Sequence, residues 1–167
     1  MANERPLVGV VMGSDSDLAV MQKCIDQLKA LGISHEVRII SAHRTPDTAH
    51  QYASTAASRG MKVVIAAAGM SAALSGVLAS KTTLPVIGVP LAAGPLNGVD
   101  ALLSTLQMPP GVPVAAMVAI GAAGAINAAI LAAQILALSD AALAKRLEQF
   151  KLDQARKVQE KDAALQI

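Results

Sequence analysis

At 167 residues the chain is long enough for one domain with a sizeable core. Its 53% hydrophobic and 16% charged residues mark it as globular and exclude a disordered chain. A formal net charge of +2, with no Lys/Arg cluster interleaved with stacking aromatics, argues against nucleic acid as a partner.

Met1–Pro6 is polar and short, with no signal-peptide core behind it, so the protein is expected to be cytoplasmic. Leu7–Met12 is a continuous apolar run that reads as a buried strand, followed by Gly13 and a polar turn. Helix signals run from about Ser16 to Leu31 and close at Gly32, with Leu18, Met21, Cys24, Ile25 and Leu28 as the apolar stripe. Cys24 is the single cysteine; it can form neither an internal disulfide nor a multi-cysteine metal site and is read as packing. Val37–Ile40 ends a second strand. Thr45-Pro46-Asp47 then opens a helix with a cap, a proline in the first turn and an acid near the positive dipole end; it should stop at Gly60. Val63–Ala67 is a third buried strand, and Gly69 opens a turn into a short Ala-rich helix ending near Lys81. Pro85–Val89 reads as a fourth strand, Val99–Gln107 as a helix and Val114–Ile120 as a fifth strand. Gly124–Leu138 is a helix of Ala, Ile, Leu and two amides. Ser139-Asp140 caps a last helix over about 140–164, in which Leu143, Leu147 and Phe150 follow a helical period.

Short apolar strands alternating with helices imply a parallel sheet covered on both faces. The expectation is a single α/β domain over 1–167, a three-layer α/β/α sandwich with a central parallel sheet, flavodoxin-like or Rossmann-like (core about 7–138), plus a C-terminal helix. Tyr52 and Phe150 are the only aromatic residues, so the core must be built from Ala, Val, Ile, Leu and Met. The span from Ala101 to Ser139 carries no charge, yet prolines, Asn127 and Gln134 interrupt it, so a membrane span is not expected. A domain so poor in charge is expected to hide apolar surface in a homo-oligomer. The helix near 121–138 has small residues on several faces, and Gly121, Gly124, Ala129 and Ala133 are the expected contact with another copy.

In open parallel sheets the ligand sits beyond the carboxyl ends of the strands, and three of these ends carry unusual sequence. At Met12-Gly13-Ser14-Asp15-Ser16-Asp17, Gly13 allows a tight turn, and Ser14 and Asp17 fit a Ser-x-x-Asp capping box. A helix start with free N–H groups and hydroxyls also suits a phosphate, although most such boxes only cap. At Ser41-Ala42-His43-Arg44-Thr45-Pro46, His43 is the best general acid/base in the chain, because an imidazole titrates near neutral pH. A histidine at a turn can equally be a surface group; Arg44 beside it can hold a phosphate or carboxylate. His35, at a strand entrance, and His50, on a helix, are read as structural or solvated. At Ala66–Gly76 the small residues Ala68, Gly69, Ser71 and their neighbours let backbone amides approach a ligand, or simply pack tightly.

Taken together these motifs resemble the PurE family, whose bacterial members isomerise N5-carboxyaminoimidazole ribonucleotide in purine biosynthesis. Met-Gly-Ser-x-Ser-Asp at 12–17, Ser-Ala-His-Arg-Thr-Pro at 41–46 and Pro-Val-x-Gly-Val-Pro at 85–90 occur in register. Gln-Met-Pro-x-Gly-x-Pro-Val at 107–114 and Asn-Ala-Ala-x-Leu-Ala-Ala-Gln-Ile-Leu at 127–136 follow, so the resemblance spans roughly residues 7–150. It implies a carboxylated aminoimidazole ribonucleotide as substrate and His43 as general acid/base. It implies that Ser14, Asp17 and Arg44 bind the substrate, with Gly13, Ser16, Ser41, Ala42, Ala68, Gly69, Ser71 and Leu74 completing the pocket. It further implies no metal, ATP or organic cofactor, and an octamer. The alternatives are direct carboxylation of aminoimidazole ribonucleotide by CO2, decarboxylation, or a non-catalytic nucleotide-binding scaffold.

The third loop departs from the common bacterial pattern Ala-Gly-Ala-Gly-Gly-Ala-Ala-His-Leu-Pro-Gly. Here Ala67 and Met70 stand at Gly positions, Ser71 at an Ala, Ala73 at the His and Ser75 at the Pro. Nor does it carry the Ser-Asn-Gly of the animal-type carboxylases. Downstream, Gly94-Pro95 is unusual in the segment Ala92–Asn97.

Overall fold

The computed structural model describes residues 5–165, so residues 1–4 of the polar N-terminal segment lie outside the description. Five parallel strands run in the order β2-β1-β3-β4-β5, where β1 is Val8–Met12, β2 His35–Ile39, β3 Val63–Gly69, β4 Val86–Leu91 and β5 Ala115–Ala116. The helices are α1 Leu18–Ala30, α2 Pro46–Ala56, α3 Leu74–Ala79, α4 Val99–Leu106, α5 Ala122–Ala137 and α6 Ala141–Leu165. The expected three-layer, flavodoxin-like sandwich is therefore what forms.

Side-chain alternation along the strands divides the core in two. Val8, Val10, Met12, Val63, Ile65 and Ala67 face α1 and α5, while Val11, Val64, Ala66 and Val86 face α2 and α3. Cys24 lies in the first layer, where burial pushes its thiol up to about 12, so it packs and does not react at neutral pH. Met21, Ile25 and Leu28 share that buried stripe; Leu18, at the first position of α1, is 42% exposed and does not.

Most boundaries move by only a few residues, but one strand nearly disappears. The expected strand Val114–Ile120 shrinks to Ala115–Ala116 beside Ile87 and Gly88. The cause lies in β4. Pro90 turns its carbonyl to this side, where it accepts from Gly121 N–H (3.0 Å), so its missing N–H falls on the same side and the ladder cannot continue. The chain is tied back by Met117 N–H to Gly88 O (2.8 Å) and then enters α5.

On helix α5, Gly121 stays partly exposed with nothing within 4 Å of where its Cβ would stand, but the other three positions expected to meet another copy are already covered. Gly124, Ala125, Ala128, Ala129, Ala132 and Ala133 are all buried within this one chain, because α5 is sandwiched between the sheet, α1 and α6. A Cβ at Gly124 would run into Ala119 O, so that glycine serves an internal close approach. Exposed apolar side chains occur on several elements, Leu138 just past α5 among them, and α4 carries a stripe of them. Leu96, Val99, Leu103 and Leu106 line one side of α4 and its entrance, each 46–59% exposed. In α6 only Leu143 is buried, and past Phe150 the helix leaves the domain surface. Among the described residues no helix is long and apolar enough to cross a membrane.

Candidate active site

The strand order reverses direction between β1 and β3, and the ligand cleft of such sheets opens beyond the carboxyl ends at that switch point. Met12 of β1 pairs with Ile39 of β2 and Ala67 of β3, so the loops after these strands emerge side by side. They enclose a cleft of about 580 Å³, within the range that holds nucleotide-sized ligands.

The first loop is a turn wound on its own hydroxyls. Ser14 caps a 3-10 turn, Asp15–Asp17, that runs into α1, and both halves of the capping box form. Ser14 N–H donates to Asp17 Oδ2 (3.0 Å), Ser14 Oγ accepts from Ser16 N–H (3.4 Å) and from Ser16 Oγ (3.0 Å), and Gly13 N–H reaches Ala67 O (3.1 Å). Desolvation raises the Asp17 carboxyl above its ordinary range, against the opposing hydrogen bonds from the Ser14 and Gly13 amides; the charge of Asp15 adds to the rise. The capping role and a place in the cleft wall thus coincide.

The second loop closes on Ser41. Thr45 N–H donates to Ser41 O (2.9 Å), and Thr45 Oγ1 both accepts from Ser41 N–H (3.0 Å) and donates to Ser41 O (3.0 Å). Thr45 occupies the N-cap position of α2, but its hydroxyl is turned back into the loop and makes no cap bond, contrary to the sequence reading; Pro46 and Asp47 fill the first turn as expected. Ser41 Oγ accepts from Arg44 N–H (3.1 Å) and Nε–H (3.4 Å), and Arg44 Nη2 donates across to Gly13 O (3.2 Å). Arg44 therefore ties the second loop to the first, with guanidinium donors left over for an anion. His43, at the apex of this turn, is exposed and lines the cleft between Ala42 and Arg44. His35 bonds Ile33 O through Nδ1 (2.9 Å), and His50 sits exposed on α2; neither lines the cleft.

The third loop supplies the opposite wall. Gly69 pairs with Leu91 at the end of β3, and a Cβ on it would press to 2.6 Å from Ala93 Cβ, so only glycine allows the two loops to meet. Ala73 N–H donates to Ser71 O (2.8 Å), closing a tight turn before α3. Leu74 backs the wall from within the core and is 1% exposed.

Every residue singled out from sequence lines this one cleft: Gly13, Ser14, Ser16, Asp17, Ser41, Ala42, His43, Arg44, Ala68, Gly69, Ser71 and Leu74. Met70, Ala73 and Ala93 line it as well and were not singled out. The unusual Met70 and Gly94-Pro95 were the available signals for that rim. Of the five departures in the loop, Ala67 is buried on the α1–α5 side and Ser75 packs beneath β4 near Gly88; Met70, Ser71 and Ala73 alone reach the cleft. Among the described residues no three His, Cys, Asp or Glu side chains gather as a metal site.

Comparison with known proteins identifies the family of the chain. The family model described as AIR carboxylase matches residues 7–157. An N5-carboxyaminoimidazole ribonucleotide mutase of Pyrococcus horikoshii is 50% identical over 99% of this chain and 92% of its own. One from Bacillus subtilis is 54% identical over 87% of this chain and 89% of its own. The crystal structure of Treponema denticola PurE superposes with a TM-score of 0.86 at 33% identity, covering 98% of this chain and 100% of that one. A match of this extent to model, sequence and structure alike means that the chain belongs to the AIR carboxylase (PurE) family.

Proposed function

We propose that this chain is an N5-carboxyaminoimidazole ribonucleotide mutase of purine biosynthesis, moving the carboxyl group from the exocyclic nitrogen to ring carbon C4. The observation that carries the reading is the meeting of His43 and Arg44 with Ser14 and Asp17 in one cleft of a chain whose near-full-length relatives are named as that mutase. Those names also favour the mutase over direct carboxylation or decarboxylation.

Arg44 and the hydroxyls of Ser14 and Ser16 hold the anionic groups of the ribonucleotide, and Asp17 accepts from its donors. In the first step the N–CO2 bond breaks, its electrons return to the exocyclic nitrogen, and His43 delivers a proton there. In the second, the electron-rich C4 attacks the released CO2, a C–C bond forms, and His43 takes the proton that leaves C4. The imidazole ends as it began, so no co-reactant is consumed. The small apolar lining of Ala42, Ala68 and Ala73 suits neutral CO2 and offers water little to bind.

The assembly is a homo-oligomer, read as an octamer. What supports self-association is the exposed stripe of Leu96, Val99, Leu103 and Leu106, a helical spacing that a free surface seldom shows.

The test is to offer the purified protein the N5- and C4-carboxylated ribonucleotides separately and watch them interconvert by ultraviolet absorbance. His43→Asn should lower the rate by about 10²-fold or more while ribonucleotide binding persists. A wild-type protein that only decarboxylates, or an Asn variant within about tenfold of wild type, would sink the reading.

A further inference from the structure

Met70 is one of two non-glycine residues with a left-handed backbone among those described; its φ is 55°. L-residues other than Gly, Asn and Asp rarely adopt that conformation, and an unbranched apolar side chain gains nothing from it locally. Burial does not repay the strain either, because Met70 is 56% exposed. Its neighbours hold the twist in place. Gly69 is pressed against Ala93, and the Ala73-to-Ser71 bond closes the chain behind it.

The twist sends the side chain to the rim of the cleft. Among the lining residues Met70 alone is large, apolar and exposed; Leu74 is fixed in the core. Met70 lies across the face of Gly94, with Cγ, Sδ and Cε at 3.5, 3.9 and 3.8 Å from where a Cβ would stand. Gly94, itself at φ +74°, thus leaves a bare shelf on which an adaptable thioether chain can rest and from which it can swing.

We propose that Met70 is a movable cover: its side chain leaves the Gly94 shelf and closes over a bound ribonucleotide, keeping water out and CO2 in. The role in retaining CO2 rests on the mutase reading above; the closing motion does not. Without the cover, CO2 released from nitrogen escapes and is hydrated to bicarbonate in solution, while the protonated aminoimidazole ribonucleotide departs uncarboxylated.

Two measurements decide it. In the first, the whole protein is oxidised with hydrogen peroxide, with and without aminoimidazole ribonucleotide, and sulfoxide is counted peptide by peptide. Met70 should be protected roughly fivefold or more, while Met108, partly buried against Gly76 and outside the cleft lining, should not change. No protection at Met70 overturns the cover. In the second, carboxyl-labelled N5 substrate is isomerised in unlabelled bicarbonate and the label kept in the C4 product is measured. Met70→Ala and Met70→Gly should both lose label about threefold faster than wild type, although glycine relaxes the backbone, and Met70→Leu should restore retention. Equal retention in all variants overturns the CO2 role. A wild-type protein that does not isomerise refutes the mutase reading, and the oxidation experiment still decides the cover.

Discussion

Removing the Arg44 guanidinium separates a binding role from a structural one. In Arg44→Ala the bonds lost are Nη2 to Gly13 O (3.2 Å) and Nε to Ser41 Oγ (3.4 Å), both long and both on an exposed side chain. Water can replace them, and the Ser41 turn keeps its own closure through Thr45 N–H and Oγ1. Stability should therefore change by less than about 0.5 kcal/mol, as for other surface substitutions. A charge-assisted bond to a phosphate or carboxylate is worth about 1.5–3 kcal/mol, which corresponds to roughly a 10- to 150-fold rise in Kd. Isothermal titration with aminoimidazole ribonucleotide and with its C4-carboxylated form distinguishes the groups. An arginine that holds phosphate weakens both ligands alike, and inorganic phosphate should compete with each; one that holds the carboxylate weakens only the second. Arg44→Lys keeps the charge but not the fork and should fall between. Unchanged affinity for both ligands, at an unchanged urea midpoint, would return Arg44 to the role of a loop tie alone.

Asp17 gives a pH test with a fixed sign. Its carboxyl is raised in the fold, chiefly by desolvation, so the folded chain holds the proton more tightly than the unfolded one. That contribution favours the fold at low pH and is lost as pH rises through the carboxyl range. Urea midpoints should show Asp17→Asn gaining on wild type over that rise and then levelling off; a constant difference would refute the shift. On α5, Ala133→Glu places an unpaired charge in a fully buried position and should cost several kcal/mol, enough to unfold a domain of ordinary stability. Leu103→Glu, on the exposed α4 stripe, should instead leave far-ultraviolet circular dichroism intact and split the assembly in light scattering. A folded, dissociated Ala133→Glu would put the interface back on α5.

Period and punctuation made the sandwich legible. Runs such as Leu7–Met12 and Val63–Ala67 are apolar without interruption because both faces of β1 and β3 are covered, the pattern expected of a parallel sheet between helix layers. What misled was the reading of small residues. Gly124, Ala129 and Ala133 suggest close approach equally to a second copy and to the chain itself, and nothing in their spacing tells the two apart. The apolar stripe on α4 was present as Leu96, Val99, Leu103 and Leu106, but a core-facing stripe has the same period. The lost length of β5 depended on which way the Pro90 carbonyl points, which is a property of the ladder and not of the proline.

The candidate site was legible where chemistry is local and illegible where it depends on partners far along the chain. Ser14 and Asp17 form the box that their spacing announced, because the whole motif lies within one turn. Thr45 does not cap α2, because the Ser41 backbone stands at hydrogen-bonding distance and takes its hydroxyl; short polar side chains always face that competition. The altered third loop reads in sequence as scattered substitutions. In space, Ala67 and Ser75 fall away from the cleft, while Met70 lies directly on Gly94, a second departure more than twenty residues downstream. A Cβ at 94 would meet the Met70 side chain in ordinary contact at 3.5–3.9 Å but would strain a backbone held at φ +74°, and a glycine at 70 would leave the shelf without an occupant. The two departures are halves of one contact; Gly94→Ala adds backbone strain of its own whatever stands at 70, so the contact is read from the coupling in a double-mutant cycle, and additivity between Met70→Gly and Gly94→Ala would show that it carries no energy.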